Sequence, residues 1–259
     1  MTSTEKLILF DVDGTLLDRH NQIPPSAKQA VMALKNAGHT VALASGRSPF
    51  MLEQVRQELQ LDSYVSFNGQ YVAHQGTLIH SNPINPEAVH KLSAFAAVQE
   101  HALVFLDHAQ MSCSQTYHPH VDLCLKSLGV THPSHHASFC EDRAIYQTML
   151  FCTVEEEASY REQFEMLNFV RWHPLSMDVL PAGGSKAEGI IQLAARLGFQ
   201  PEDIYAFGDN YNDIEMFQYV GCGIAMGNAP EALKQLASHV TLSAEQEGIW
   251  HGLQWTGLI

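Results

Sequence analysis

The sequence predicts an α/β protein with a Rossmann-like, three-layer parallel sheet as its core and an inserted α+β cap domain. Near both ends of the chain, short apolar runs alternate with amphipathic segments, as they do where helices join parallel strands. Between these regions the pattern changes, and strands follow one another in pairs. A chain of 259 residues with 46% hydrophobic content suffices for a core domain and a smaller second one.

The first strand is the apolar run 7–10, which is followed closely by Gly14. A helix begins at Pro24-Pro25-Ser26, carries apolar residues at helical spacing, and has Gly38 just past its end. The next predicted elements are a strand at 41–44, a helix from Pro49, a strand at 64–67 and a hairpin with arms 71–73 and 78–80.

The inserted region runs from about Asn82 to Leu180. Its predicted elements are a helix at 87–99, strands at 103–106 and 111–114, a polar helix, a strand at 145–151, a helix at 155–167, and strands at 169–172 and 177–180. The parallel pattern then resumes with a helix at 185–197, a strand at 204–207, a helix at 214–219, a strand at 223–226 and a helix at 230–237. We therefore expect a core of residues 1–81 and 181–259 around a cap of residues 82–180.

Polar side chains follow three of the predicted parallel strands. Asp11 and Asp13 come after the first strand, Ser45 after the second and Asp209 after a later one. Ligands of open α/β sheets bind outside the carboxyl ends of the strands. Two neighbouring carboxylates repel one another unless a cation or a proton separates them. Taken alone, the first pair fits an acidic turn equally well; Lys186, at a helix start, adds a fourth candidate.

Together these residues resemble the four motifs of haloacid-dehalogenase-superfamily phosphatases of the Cof type. The matching segments are Asp11-Val12-Asp13-Gly14-Thr15, Ser45-Gly46-Arg47, Lys186 with the residues just before it, and Gly208-Asp209-Asn210-Tyr211-Asn212-Asp213. The resemblance spans essentially the whole chain, and the family's cap falls between the second and third motifs. Any one motif is weak evidence, whereas the combination is specific.

The resemblance implies a Mg²⁺-dependent phosphatase with two catalytic aspartates. Asp11 is the nucleophile that forms an aspartyl-phosphate, and a carboxylate at a rigid strand end suits that role. Asp13 protonates the leaving oxygen and then deprotonates water. The metal ligands are the carboxylates of Asp11 and Asp209 and the backbone carbonyl of Asp13, all oxygen donors of the kind that Mg²⁺ takes.

The substrate-binding residues expected from the same motifs are Ser45, Gly46, Arg47, Lys186 and Asn212. A serine here could instead cap a helix, and most lysines lie on the surface. Arg47 either steers an anionic substrate or pairs with a carboxylate of the core.

Asp213 is either a partner for metal-bound water or a carboxylate of a first helical turn, where the helix dipole favours it.

The expected substrates are small phosphorylated metabolites: sugar phosphates, flavin mononucleotide or related riboflavin intermediates, and pyridoxal phosphate. In this family the cap recognises the leaving group. Aromatic residues of the predicted cap could stack on a flavin or pyridine ring or could belong to its hydrophobic core: Phe105, Tyr117, Tyr146 and Trp172.

Three other functions are consistent with parts of this pattern. A dehalogenase of the same superfamily needs neither Asp13 nor Asp209. A phosphotransferase or phosphomutase would share the core and differ in the acceptor. A non-catalytic, metabolite-binding regulatory module would normally have lost a motif residue, and none is lost.

Charge and composition limit the kinds of partner and the location that we expect for the protein. The net charge of −14 argues against nucleic acid and anionic membranes, which require clustered Lys and Arg. With no apolar run long enough to span a membrane and no signal peptide at the start, the expected location is cytoplasmic. The protein is expected to be a monomer or a weak homodimer. The five cysteines are odd in number, without a CxxC pair, and are expected as free thiols. The His- and Cys-rich stretch 113–140 is either a metal site or a polar loop, and its spacing matches no standard zinc pattern.

Overall fold

The computed structural model of the chain describes residues 5–259. They form two compact units. The core unit comprises the described chain up to Arg47, Met51–Ser81 and Ser185–Ile259, and the inserted unit comprises Ser48–Phe50 and Asn82–Gly184.

Strands and helices alternate along the core unit and are grouped differently in the inserted unit. The strands are β1 (Leu7–Phe10), β2 (Thr40–Ala44), β3 (Tyr64–Ser66), β4 (Tyr71–His74), β5 (Thr77–Ser81), β6 (Ala102–Leu106), β7 (Met111–Cys113), β8 (Gln147–Phe151), β9 (Leu167–His173), β10 (Ser176–Pro181), β11 (Ile204–Gly208), β12 (Cys222–Ala225) and β13 (His239–Val240). The helices are α1 (Pro25–Asn36), α2 (Glu53–Leu59), α3 (Pro86–Val98), α4 (Pro119–Ser127), α5 (Glu157–Gln163), α6 (Lys186–Leu197), α7 (Ile214–Tyr219), α8 (Glu231–Lys234) and α9 (Gly248–Thr256). Of the helices in residues 5–259, none is long and apolar enough to cross a membrane.

The sheet of the core unit is parallel except at one edge. Within the described chain it has eight strands, in the order β13-β12-β11-β1-β2-β3-β4-β5. The strands from β13 to β3 pair in parallel, and β4 and β5 form the antiparallel hairpin that the sequence predicts. Helices on both faces complete the predicted three-layer architecture, and the fold class is confirmed.

The central strand β1 shows why both faces are covered. Its four residues are all fully buried. Ile8 and Phe10 pack with apolar residues of α1, α2 and α9, and Leu7 and Leu9 pack with those of α6, α7 and α8. Successive side chains of a strand point to opposite faces, so a continuous apolar run requires an apolar layer on each side.

The parallel register aligns the ends of the strands. Phe10 lies opposite Leu43 of β2 and opposite Phe207 of β11. The chain therefore leaves β1, β2 and β11 at the same edge of the sheet, which is the edge at which the sequence predicts the site.

The inserted unit is built on a separate, antiparallel sheet with the strand order β7-β6-β8-β10-β9. One face of this sheet packs against α3 and α5 in a hydrophobic core that includes Leu92, Tyr160, Leu150 and Met177. Phe105 belongs to this core, so its aromatic ring has a structural role.

One predicted helix of this unit differs from the structure. The apolar spacing predicts a helix at 155–167, but α5 ends at Gln163 and β9 begins at Leu167. Phe164 follows the helix with non-helical backbone angles, its side chain is buried in the core of the unit, and its carbonyl accepts a hydrogen bond from Leu167 N at 2.9 Å. The turn that buries Phe164 therefore ends the helix.

The His- and Cys-rich stretch makes contacts between residues that are distant along the chain of the inserted unit. Cys124 Sγ lies 3.2 Å from His173 Nδ1, and His135 Nδ1 lies 2.9 Å from the carbonyl oxygen of Cys113. Burial raises the pKa of Cys124 to about 11, which keeps this side chain a thiol. Among the described residues, no three side chains of this stretch bring metal-ligand atoms together.

Asp178 of β10 is a buried carboxyl on the face of the sheet opposite the α3–α5 layer. In the described part of the chain, neither its Oδ1 atom nor the nearby indole Nε1 of Trp172 has a hydrogen-bond partner. Burial raises the pKa of Asp178 to about 8, and the Trp172 indole opposes the rise only in part. We therefore expect this side chain to be mostly protonated at pH 7.

We expect Asp178→Asn to stabilise the protein increasingly as the pH rises from 5 to 8. A carboxyl whose pKa is raised by folding stabilises the folded state below its unfolded pKa, and this contribution is lost as the pH rises through the folded pKa. Asparagine does not titrate. The free energy of unfolding of the variant relative to wild type, from urea denaturation, should therefore rise by about 1 kcal/mol per pH unit.

Asp107→Asn is the matched control in the same unit. Asp107 is also buried, but it accepts hydrogen bonds from Arg143 at 2.6 Å and from the backbone N–H groups of Ala109 and Gln110 at 2.7 Å each. Its replacement should destabilise the protein across this pH range. A pH-independent difference between wild type and Asp178→Asn would contradict the assignment of a protonated Asp178.

Candidate active site

Asp11 and Asp209 meet because the strands that precede them are hydrogen-bonded neighbours. Asp11 is the first residue after β1, and its backbone N–H donates to the carbonyl of Phe207 at 2.9 Å. Asp209 is the first residue after β11. With Asp213 these residues offer one carboxylate oxygen each, and the three atoms lie within 4.8 Å of one another.

Lys186 lies between two of these carboxylates. It is the first residue of α6, whose N-cap is Ser185, and its side chain is 0% exposed. Its Nζ atom donates to Asp11 Oδ1 at 2.5 Å and to Asp213 Oδ1 at 2.6 Å. Lysines are almost never fully buried unless they are paired, so this contact identifies Lys186 as part of the site rather than of the surface.

Asp213 caps the turn, which was one of the two roles left open by the sequence, and it also pairs with Lys186; a contact with metal-bound water stays a prediction. Its Oδ1 atom pairs with Lys186, while its Oδ2 atom accepts hydrogen bonds from the backbone N–H groups of Asp209 and Asn210 at 2.9 and 3.0 Å. The carboxylate thus caps the turn that begins after β11 and also fixes the ammonium group. It belongs to the acidic cluster in place of the Asp13 side chain, which is 46% exposed.

The cluster holds more negative than positive charge. Burial raises the pKa of Asp11 well above its usual value; Lys186 opposes the rise, and the neighbouring carboxylates of Asp213, Asp209 and Asp13 add to it. Burial and Asp213 raise the pKa of Asp209 to about 6. Burial alone would lower the pKa of Lys186, but Asp11 and Asp213 hold it above its ordinary value.

A small divalent cation fits this donor set. One ammonium group balances only one of the three clustered carboxylates, and the remaining like charges add to the effect of burial in raising the pKa of Asp11 and Asp209. Carboxylate oxygens are the ligands that Mg²⁺ prefers, and binding such an ion would favour the ionised form of these carboxyls.

Asp209 is oriented by residues that the sequence reasoning missed. Its Oδ1 atom accepts from the Thr15 hydroxyl at 3.3 Å, and its Oδ2 atom accepts from Asn228 Nδ2 at 2.9 Å. Asn228 also donates to the carbonyl of Gly14 at 3.1 Å. The signal that could have identified Asn228 is its position shortly after β12, at the same edge of the sheet as Asp11.

Gly14 is required where the first motif turns. Its φ is +77°, and a Cβ atom at this position would collide with the carboxylate of Asp209. A larger residue would therefore be strained by its own backbone and would displace an expected metal ligand.

Arg47 pairs with a carboxylate of the core unit, which is one of the two roles that the sequence allows. Its Nε and Nη2 atoms donate to the two carboxylate oxygens of Asp13 at 2.9 and 2.6 Å. The pair is bidentate, the strongest geometry available to a guanidinium and a carboxylate. Whether Arg47 also contacts substrate stays a prediction.

The expected phosphate-binding residues follow β2 and β11. Ser45 is 1% exposed, and its hydroxyl accepts a hydrogen bond from the backbone N–H of Arg47 at 3.1 Å. The Asn212 amide donates to Asn68 Oδ1 at 3.1 Å, and the Asn68 side chain lies against Gly46. Asn68 was not among the predicted site residues, although it directly follows Phe67 at the end of the third parallel strand.

The fold and the site together define a class of phosphoryl-transfer hydrolases, and comparison with known proteins agrees. The family model for haloacid dehalogenase-like hydrolases matches residues 8–253. Bacillus subtilis (strain 168) "Putative phosphatase YkrA" is 43% identical over 254 residues, which cover 98% of each chain. The chain belongs to the haloacid dehalogenase-like hydrolase family and is a phosphoric monoester hydrolase, as its resemblance implied.

Relatives with named substrates are more distant. The 5-amino-6-(5-phospho-D-ribitylamino)uracil phosphatase YitU of Bacillus subtilis (strain 168) is 28% identical and covers 96% of each chain. The pyridoxal phosphate phosphatase YbhA of Escherichia coli (strain K12) is 26% identical, over 92% of this chain and 93% of its own.

Two solved structures share the fold. A hypothetical protein from Geobacillus kaustophilus HTA426 is 48% identical with a TM-score of 0.94, covering 98% of this chain and all of its own. The subclass IIB sugar phosphatase BT4131 is 28% identical with a TM-score of 0.87 over the same shares.

Replacing the buried lysine should destabilise the protein strongly. Lys186→Met leaves Asp11 and Asp213 buried without their cation, and breaking a buried ion pair on one side costs about 3–5 kcal/mol. The loss should be largest at pH 8 and smaller at pH 5, because the unpaired carboxyls take up protons more readily at the lower pH. Urea denaturation in EDTA measures both values.

Lys6→Met is the matched control for the loss of one lysine. Lys6 pairs with Asp203 at 2.5 Å, but these two side chains are 20% and 36% exposed. Exposed ion pairs contribute at most about 1 kcal/mol, so this variant should be nearly as stable as wild type. Equal losses in the two variants would show that the buried contact has no special role.

Proposed function

We propose that this protein is a Mg²⁺-dependent phosphatase that hydrolyses phosphate monoesters of small metabolites through an aspartyl-phosphate on Asp11. The observation that carries the proposal is the cluster of Asp11, Asp209 and Asp213 at the carboxyl ends of β1 and β11, with the buried Lys186 bonded to Asp11 and Asp213. Such a site supplies a nucleophile, an oxygen-rich cation site and a fixed positive charge, which phosphoryl transfer requires.

The expected metal ligands are the carboxylates of Asp11 and Asp209 and the backbone carbonyl of Asp13. When bound, the ion neutralises charge on the phosphoryl oxygens and keeps the Asp11 carboxylate ionised. Thr15 and Asn228 hold the Asp209 carboxylate through one oxygen each and so limit its rotation.

In the first step, a carboxylate oxygen of Asp11 attacks phosphorus. The bond from phosphorus to the ester oxygen breaks, and that oxygen takes a proton from the Asp13 carboxyl. Lys186, hydrogen-bonded to Asp11 Oδ1, holds the nucleophile in position and offsets the charge of the phosphate.

In the second step, water attacks phosphorus and gives a proton to Asp13. The bond between phosphorus and Asp11 breaks, which releases inorganic phosphate and restores both carboxyl groups to their starting forms. Asp13 is suited to contact the solvent and the leaving group because its side chain is exposed, whereas that of Asp11 is buried.

Arg47 must loosen its hold on Asp13 during the first step. Both oxygens of Asp13 accept hydrogen bonds from the guanidinium, but a carboxyl that is about to donate a proton carries it on one oxygen. The bidentate contact therefore suits the form that accepts a proton from water. We infer that substrate binding frees one oxygen.

The inserted unit, predicted as the cap of residues 82–180, is proposed to select the leaving group. YitU, YbhA and BT4131 match this chain over nearly its whole length and are named for three different substrates. These different names support a proposal in which residues outside the four motifs select the substrate. The candidate substrates are sugar phosphates, flavin-related phosphates and pyridoxal phosphate.

The first test is a panel of phosphorylated metabolites assayed for released phosphate with Mg²⁺, with EDTA and with Ca²⁺. At least one small metabolite should be hydrolysed with Mg²⁺, and EDTA should abolish the activity reversibly. Ca²⁺ should substitute poorly, because it prefers more ligands and a looser geometry. Full activity in EDTA would refute the proposed metal site.

The second test separates the two aspartates. Asp11→Asn should abolish turnover of every substrate, because no covalent intermediate forms. Asp13→Asn should slow the hydrolysis of an alkyl phosphate by about 10²–10⁴-fold, whereas an aryl phosphate with a stable leaving group should react once and then stall. Phosphorylated protein should be trapped from Asp13→Asn and absent from Asp11→Asn.

Equal losses for both esters, with no trapped intermediate, would contradict the acid–base role of Asp13. The same experiment run without metal serves as its control, since neither ester should then react.

A further inference from the structure

Asn68 lies at the carboxyl end of β3, in a turn that is held on two sides. The backbone N–H of Asn68 donates to the carbonyl of Ser45 at 3.0 Å, and that of Phe67 donates to the carbonyl of Arg47 at 3.0 Å. On the other side, Gly69 packs so closely on α6 that a Cβ atom there would collide with the carbonyl of Ser185. The turn is thus fixed between the Ser45–Arg47 loop and the helix that begins with Lys186.

The backbone of this turn is unusual. Phe67, Asn68 and Gly69 have φ values of +51°, +49° and +99°, three successive residues in the left-handed region. Residues other than glycine rarely adopt this region, and a bulky residue such as phenylalanine is an outlier there. Strained backbone of this kind persists where the surrounding structure fixes it, often at a binding site.

The strained turn places the Asn68 amide among the expected phosphate ligands. Asn68 is 4% exposed, and its Oδ1 atom accepts a hydrogen bond from Asn212 Nδ2 at 3.1 Å. Its Nδ2 atom lies beside Gly46, where a Cβ atom would come within 3.0 Å of it. Among the described residues, Nδ2 has no acceptor.

We propose that Asn68 is a further phosphate-binding residue: Oδ1 orients the Asn212 amide, and Nδ2 donates a hydrogen bond to a phosphoryl oxygen of the substrate. This inference rests on the proposed phosphatase function. A neutral donor suits the position, because the site is already rich in carboxylates and a charged acceptor would repel the phosphate. Gly46 leaves the room that the amide occupies.

The first variant is Asn68→Asp, which keeps the acceptor for Asn212 and tolerates the left-handed backbone but removes the donor. Inorganic phosphate, measured as a competitive inhibitor of p-nitrophenyl phosphate hydrolysis, should bind about 10- to 100-fold more weakly. The KM of the ester should rise by a similar factor. The Tm should stay within a few degrees of wild type.

The second variant, Asn68→Gly, removes the amide without adding a charge and relieves the backbone strain. It should be as stable as wild type or more stable, and it should still bind inorganic phosphate at least about 10-fold more weakly. Loss of binding without loss of stability is a result that a merely structural asparagine would not give.

Gln75→Glu is the control for the amide-to-carboxylate change. Gln75 also has a left-handed backbone, with φ of +49°, and it lies beside Thr40 and Val41 at the amino end of β2, away from Ser45. Its inhibition constant for phosphate and its KM should equal those of wild type.

The proposal would be overturned if both Asn68 variants had the phosphate inhibition constant and the KM of wild type. It would also be overturned if only Asn68→Asp bound phosphate more weakly, because repulsion by the new charge would then explain the loss. Neither result would affect the phosphatase assignment. That assignment fails separately, if wild-type protein releases no phosphate from any ester in the presence of Mg²⁺.

Discussion

The buried ion pairs of Lys186 are the interaction on which the rest of the structure depends. A fully buried ammonium group is tolerated only beside carboxylates, and Lys186 has two, Asp11 and Asp213. These three residues come from the end of β1, the start of α6 and the turn after β11. Each element must therefore hold its position for the charges to be balanced, and the sheet register that aligns β1 with β11 is the means of doing so.

The ammonium group of Lys186 does not neutralise all three carboxylates of the cluster. The proposed metal site follows from the negative charge that remains. The third carboxylate, Asp209, has no ammonium of its own and is held by the neutral donors of Thr15 and Asn228. In the proposed function this charge is balanced by a divalent cation, which also contacts the anionic phosphate, although the whole protein carries a net charge of −14. The positive charge that an anionic substrate needs is thus local. Asp13, the expected proton donor, lies outside the buried group and pairs with Arg47 instead.

Local sequence patterns predicted most helices and strands of the core unit. They did not predict an element whose sequence is explained by contacts with distant parts of the chain. The strand β1 and the helix α6 were predicted because apolar spacing and nearby glycine and serine residues are local signals. The helix α9 was not predicted. It carries Gly248 and Gly252, which lower helix propensity, yet Gly252 is required there because a Cβ atom would lie 2.6 Å from the ring of Phe207. A close helix–sheet contact explains that glycine, and such a contact cannot be read from a segment alone.

The sequence by itself determined the fold class and the residues that follow the strands, because a strand that ends in Asp or Ser carries its own signal. The positions of Asp11, Asp209 and Lys186 relative to the predicted strands and helices place them at one edge of the sheet. Only the tertiary structure decided how their neighbours pair: Asn68 with Asn212, which are 144 residues apart, and Asp13 with Arg47. These contacts depend on which loops lie side by side and on the rotamers that fit there, and neither is encoded in spacing along the chain.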